Sequence, residues 1–238
     1  MPETKAAIIF DFDGTLISGN MQDVLLRQRG VDPQKFWDTV EAYRTTLPGN
    51  YSRPLSYLNF LCDCANGEPR LLENYPFLEG LIGISNQDLR DAGRLLEYYP
   101  GVEDFLRNLK AMGVWISVAS CGLEETIKGS SIQPYIDEIH ACFLEERNGI
   151  IYRPLKIVDP LTKVGIAYKI NRDFRNVIAV ADGDSDMHVL MYVRDIGGCS
   201  ILIRQTNVNE HDGIYILPPN YTCGSVTRKT IFSRLKNS

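Results

Sequence analysis

Residues 10–16 read Phe-Asp-Phe-Asp-Gly-Thr-Leu, at the end of an apolar run over residues 6–12 that reads as a buried strand. In an extended chain, side chains two apart share a face, so Asp11 and Asp13 project together where the strand ends and Gly14 lets the backbone turn. Two like charges held that close need a cation, a shared proton or a catalytic task.

Two other segments have the same build. Residues 176–182, Asn-Val-Ile-Ala-Val-Ala-Asp, form an apolar run closing on a carboxylate and continue as Gly183-Asp184-Ser185-Asp186 into a plausible helix. Residues 114–120 form another, closing on Ser120-Cys121-Gly122 before a helix-like stretch at 123–129. Each is a strand with polar chemistry at its carboxyl end, which is where open parallel sheets bind ligands. Asp11, Ser120 and Asp182 are therefore expected on one rim.

Between residues 18 and 97 nothing reads as a parallel-sheet strand. Helical periodicity runs through 21–29, through 33–47 behind a possible Asp32 cap, through 54–65 and through 86–98. In the second of these, Pro33 suits a first helical position, and Phe36, Val40 and Tyr43 fall on one stripe. After Tyr99-Pro100-Gly101, an apolar helical face of Val102, Phe105, Leu106, Leu109 and Met112 ends at Gly113. A strand is predicted near 139–144, a hairpin turn at Asn148-Gly149 and a further strand at 198–203. The last dozen residues are polar and basic, a surface helix or a loose tail. The alternation predicts an α/β fold with a doubly wound, mainly parallel sheet, formed by residues 1–17 and 98–238 around an all-helical insertion at 18–97.

With 238 residues, 44% hydrophobic and 23% charged, the chain is long enough for one large or two small domains. A net charge of −5 without any basic block argues against a nucleic-acid surface. The apolar stretch at 6–10 is too short for a signal-peptide core or a membrane span, so a cytoplasmic location is the default expectation. The six cysteines are scattered without paired zinc spacing and read as buried thiols, the Cys62-x-Cys64 pair included. His140, His188 and His211 are isolated in sequence. Only His188, close to Asp186, has a claim to lie near the rim.

These motifs resemble the four signatures of the haloacid dehalogenase-like (HAD) superfamily of phosphohydrolases. They are Asp-x-Asp-Gly-Thr at 11–15, a Ser ending a strand (Ser120), a Lys at a helix start, and an acidic Asp-x-x-x-Asp after a strand, matched by Asp182 and Asp186. Lys163 suits the third best, ahead of Lys156 and Lys169, because Pro160-Leu161-Thr162 reads as a helix entrance. The helical insertion is similar to the C1 cap of the phosphoserine phosphatase-like branch. The resemblance implies a HAD-like Rossmannoid core and a phosphatase working on a small phosphate monoester through an aspartyl-phosphate. It casts Asp11 as nucleophile, Asp13 as general acid and base, and Ser120 with the backbone of Cys121 and Gly122 as phosphate binders, with Lys163 neutralising charge. It assigns magnesium (Mg2+) to the carboxylates of Asp11 and Asp182 and the backbone carbonyl of Asp13, with Asp186 further out and holding Lys163.

One departure from phosphoserine phosphatase concerns the leaving group. Where that enzyme has an acidic residue for the substrate ammonium, this chain has Asn20, which disfavours phosphoserine. Arg53 is the nearest candidate for a substrate carboxylate. A phosphotransferase or phosphomutase on the same scaffold stays open at this level, as does a catalytically silent binding protein. The silent reading is weakened because Asp11, Asp13 and Lys163 are all present.

Overall fold

The computed structural model describes residues 6–47, 52–204, 210–211 and 213–236, so parts of both expected segments, 1–5 and 48–51 among them, lie outside the described residues. β1 (Ala6–Phe10) is buried at every position, the pattern of a parallel strand covered on both faces. The other strands are β2 (Trp115–Leu123), β3 (Glu138–Arg147), β4 (Ile150–Lys156), β5 (Asn176–Ala181), β6 (Cys199–Ile203), β7 (Glu210–His211) and β8 (Ile214–Leu217). They form one sheet of order β4-β3-β2-β1-β5-β6-β8-β7. The six inner strands run parallel, and each edge strand is antiparallel to its neighbour. Chain order reverses at β1, whose two neighbours are β2 and β5. In doubly wound sheets that reversal opens a crevice beyond the strand ends.

Among the described residues, the segment 18–97 after β1 holds five α-helices: α1 (Met21–Gln28), α2 (Pro33–Thr46), α3 (Arg53–Ala65), α4 (Pro69–Asn74) and α5 (Asn86–Gly93). Asp32 caps α2 by accepting from Lys35 N, and Pro33 takes the first turn. Ser85 and Asp88 make a reciprocal capping box on α5. The linkers leading into and out of this insertion pair with each other. Ser18 N donates to the Glu97 carbonyl, Tyr99 N to that of Leu16, and Ile17 bridges Tyr98.

That pairing explains why α5 stops at Gly93 although the periodicity runs on to 98: residues 97–99 are drawn into an extended ladder. β2 likewise continues through Ser120 to Leu123 with a register shift after Ala119, so the helix expected at 123 begins one residue later, as α7 (Glu124–Gly129). The Asn148-Gly149 turn forms as read, with φ of 52° and 78° at its two residues, the backbone of a type I′ hairpin. The tail to Lys236 is helical. Sequence reasoning missed α4, the 3-10 turn Pro76–Leu81, and the short β7 and β8.

The remaining helices are α6 (Val102–Ala111), α8 (Pro160–Asp173), α9 (Met187–Asp195) and α10 (Val226–Lys236). Phe105 of α6 is fully buried. It stacks edge-on against Phe10 of β1, with ring centroids 6.2 Å apart, and lies 5.2 Å from Tyr221 and 5.6 Å from Phe232 of α10. One ring thus joins the central strand to the C-terminal helix. Phe105→Ala is expected to lower unfolding stability by about 3–5 kcal/mol, seen as a lower urea midpoint at unchanged slope.

Candidate active site

The register of the three central strands sets the site. Phe10 pairs with both Val118 and Val180, so Asp11, Ser120 and Asp182 all emerge within a residue or two of the same level on adjacent strands. Asp11 N donates to the Val180 carbonyl at 2.9 Å, which holds its backbone in line with the sheet while its side chain turns to the rim. Gly14 follows with φ +69°, and a Cβ there would sit 2.0 Å from Asp182 Oδ2. The turn therefore needs glycine twice, for its backbone and for the space that Asp182 takes.

Lys163 reaches this rim from the first turn of α8. Asp159 caps that helix, accepting from Thr162 N at 2.8 Å and from Thr162 Oγ1 at 2.7 Å, with Pro160 in the first position. Lys163 Nζ donates to Asp11 Oδ1 and to Asp186 Oδ1, both at 2.6 Å, and its side chain is only 3% exposed. Burial pulls Lys163 down, but the charges of Asp11 and Asp186 outweigh it and hold the ammonium well above its usual range. Burial pushes Asp11 upward, with Lys163 pulling back and Asp186 and Asp182 adding like charge. Asp182 is raised by burial and then by Asp186.

Asp13 accepts from Met21 N at 2.8 Å and is raised by burial and by the neighbouring Asp11. Met21 also accepts a hydrogen bond from Leu123 N at its sulfur, 3.2 Å away, so the start of α1 is pinned between the Asp13 loop and the end of β2. Tyr221 Oη donates to the Thr15 carbonyl at 3.0 Å, tying the same loop to the C-terminal segment.

All ten sequence-predicted site residues line one cavity of about 550 Å³: Asp11, Asp13, Asn20, Arg53, Ser120, Cys121, Gly122, Lys163, Asp182 and Asp186. The structure adds Gln22, Trp37, Pro54 and Tyr57 from the insertion. Helical periodicity marks such residues only as faces of helices, and no local motif sets them apart. The N–H of Gly122 is not free for a ligand, because it donates to Ser120 Oγ at 2.9 Å. Asn20 Oδ1 is likewise engaged, accepting from Gln22 N at 2.9 Å as the cap of α1.

The rivals lie elsewhere. Lys156 pairs with Glu124 and Lys169 with Glu138 on the surface. Asp184 is 86% exposed beside Arg204, and His188 is exposed on α9. Arg27 pairs with Asp23, Arg44 with Glu41, and Arg70 is exposed. Cys62, Cys64 and Cys142 are buried free thiols, with Cys121 and Cys199 half-buried and Cys223 exposed.

One carboxylate oxygen from each of Asp11, Asp182 and Asp186 lies within 4.8 Å of the others. With Asp13 alongside, four carboxylates face one ammonium. An all-oxygen donor set in net negative surroundings suits a hard divalent cation such as Mg2+.

Comparison with known proteins identifies the family and the fold. The family model for haloacid dehalogenase-like hydrolases matches residues 8–191. An uncharacterised protein of Borreliella burgdorferi is 29% identical over 240 residues, covering 82% of this chain and 80% of its own. Phosphoserine phosphatase SerB2 of Mycobacterium tuberculosis is 26% identical over 195 residues, covering 79% of this chain, which spans only 42% of that longer protein. A substrate-bound phosphoserine phosphatase structure shares the fold with TM-score 0.59 and 20% identity, over 85% of this chain and 87% of that one. The chain belongs to the haloacid dehalogenase-like hydrolases, and it is an enzyme with a phosphoserine phosphatase-like fold.

The buried ammonium gives a stability test. Lys163→Met keeps much of the apolar stem but leaves Asp11 and Asp186 unpaired, and is expected to cost about 3–5 kcal/mol. Lys156→Met, breaking a surface pair, is expected to cost no more than about 1 kcal/mol. Urea midpoints of the two variants in metal-free buffer provide the comparison.

Proposed function

We propose that the protein is a magnesium-dependent phosphatase acting on a small phosphate monoester through an aspartyl-phosphate. The observation that carries this reading is the Lys163 ammonium, held 2.6 Å from both Asp11 and Asp186 at the floor of a cavity that Ser120 also lines. Asp11, held in place by this ammonium, is the nucleophile. Its carboxylate attacks phosphorus, the phosphorus–oxygen bond to the alcohol breaks, and the acyl phosphate forms. Asp13, two residues on and fixed by Met21 N, gives a proton to the departing alkoxide and then takes one from the water that hydrolyses the intermediate. Ser120 Oγ donates to a phosphoryl oxygen, and Lys163 balances charge on the same group. Asp11, Asp182 and the Asp13 carbonyl would hold Mg2+, which when bound lowers the repulsion between anionic nucleophile and anionic substrate.

The helical segment 18–97 serves in this proposal as a cap that closes the cavity to bulk water and favours small substrates. At its leaving-group end the cavity wall offers Asn20, Gln22, Trp37, Arg53 and Tyr57, and among the described residues the insertion contributes no carboxylate to the lining. An ammonium on the alcohol would find no counter-charge there, which disfavours phosphoserine although relatives and structural neighbours carry that name. The six free thiols suit a reducing compartment, in keeping with a cytoplasmic enzyme. No helix among the described residues is long and apolar enough to cross a membrane.

Hydrolysis of p-nitrophenyl phosphate is expected with added magnesium and is expected to vanish in excess EDTA; equal rates in both would remove the metal from the proposal. Asp11→Asn is expected to abolish turnover, by at least about 10³-fold, because an amide cannot form the acyl phosphate. Mass spectrometry of acid-quenched protein should show the phosphorylated wild type and no adduct on the variant.

A further inference from the structure

A chain of hydrogen bonds runs from the helical insertion into the turn that carries Ser120, and each link has one direction. Gln22 Nε2 donates to Tyr57 Oη at 3.2 Å, and Tyr57 Oη donates to the Cys121 carbonyl at 2.9 Å. A carbonyl has no proton to give, so the single phenolic hydrogen is committed to Cys121. The phenol oxygen can then only accept from Gln22, and this fixes which end of the amide faces it. The next link is the peptide itself. In a trans peptide the carbonyl and the following N–H point opposite ways, so a held Cys121 carbonyl aims the N–H of Gly122, which donates to Ser120 Oγ at 2.9 Å. With that N–H on one lone pair of Oγ, the hydroxyl hydrogen of Ser120 is left for the cavity.

The turn is also packed from the side of α1. A Cβ on Gly122 would lie 2.4 Å from Met21 Cε, so side-chain and hydrogen-bond contacts both come from the insertion. The Tyr57 ring is buried and set edge-on against Trp37, with centroids 5.6 Å apart. Trp37 is itself anchored through Nε1 to Asp23 at 2.9 Å. Burial raises the phenol well above its ordinary range, so its hydrogen is present at any working pH.

We propose that Tyr57 is a positioning residue for phosphoryl transfer, acting from α3 through the Cys121–Gly122 peptide to hold the Ser120 hydroxyl toward the phosphoryl group. The proposal rests on the phosphatase reading above. It makes the helical insertion part of the phosphate site as well as of its roof: a displacement of α3 would loosen the donor that the transition state uses.

A double-mutant cycle tests it. Tyr57→Phe keeps the ring and removes the phenolic donor to the Cys121 carbonyl, which the weaker Cys142 thiol also approaches at 3.4 Å. With p-nitrophenyl phosphate and magnesium, kcat is expected to fall about 5- to 30-fold with KM within about twofold, less than the loss of a direct donor. In a Ser120→Ala background the same change is expected to cost under about twofold, because the group it acts through is gone. Gln22→Met, one link further back, is expected to lower kcat about 2- to 5-fold with the same non-additivity, and it carries the test if Tyr57→Phe does not fold. Additive effects, or a raised KM at unchanged kcat, overturn the proposal. Absence of turnover by the wild type overturns the phosphatase reading and this proposal with it. Turnover that depends on Ser120 together with an additive cycle overturns only the relay.

Discussion

Everything at the rim is arranged around one buried ammonium. Asp11, Asp13, Asp182 and Asp186 come together because β1 lies between β2 and β5 and because a 3-10 turn, Asp184–Asp186, leads from β5 into α9. Four carboxylates in a half-closed cavity repel one another, and removal from water makes each ionised form more costly. Lys163 answers part of that cost by bonding two of them at once. It can do so only because α8 starts where it does, with Asp159 and Pro160 fixing the first turn. The charge left over after this pairing suits a divalent cation and, on the proposed reading, with that cation a dianionic phosphoryl group.

How much of this was legible in the sequence depended on how local the signal was. The two carboxylates of the first loop, Ser120, Asp182 and Asp186 each lie at or just past the apolar stretch of a strand, and the register of Phe10 against Val118 and Val180 brings Asp11, Ser120 and Asp182 close to one level as strand-end reasoning expects. Lys163 was legible from its helix-start grammar. The cavity wall was not. Gln22, Trp37 and Tyr57 sit on three turns of helix with nothing in their immediate neighbours to distinguish them from core. Their place on the cavity wall comes from contacts as distant in sequence as Tyr57 to Cys121. The boundaries missed in α5 and β2 have the same origin. Periodicity described each segment correctly, and a tertiary ladder between residues 16–18 and 97–99, or a bulge after Ala119, then overrode it.

The insertion is joined to the sheet unevenly. At its end, α5 lies against α7 with no room between them: a Cβ on Gly93 would be 2.1 Å from the Thr126 carbonyl oxygen, and one on Gly129 would be 2.0 Å from that of Arg90. Arg90 also pairs with the nearly buried Glu125 at 2.7 Å. Farther in, Asn66 Nδ2 donates to the Ile151 carbonyl and Ile151 N to that of Ile84, which ties the insertion to the β3–β4 hairpin. By contrast, α1 and α3 reach the turn after Ser120 through Met21 and Tyr57. The insertion is thus held to the core at its last helix and at the β3–β4 hairpin.

That asymmetry bears on specificity. On the proposed phosphatase reading, a leaving group would enter between the phosphate site and the wall made by α1, α2 and α3, where several polar groups are already engaged. Asn20 Oδ1 is bound to the helix cap, Gln22 Nε2 to Tyr57, and Trp37 Nε1 to Asp23. Among the described residues, Gln22 Oε1 is left without a partner, and the Arg53 guanidinium and aromatic surface complete this wall. A cationic alcohol would displace water from this wall without gaining a counter-ion, whereas a neutral or anionic one loses nothing of that kind. On the proposed phosphatase reading, discrimination would come from what the described wall does not offer, so exchanging Asn20 for a carboxylate would alter the range of substrates more than the rate of phosphoryl transfer at the other end of the cavity.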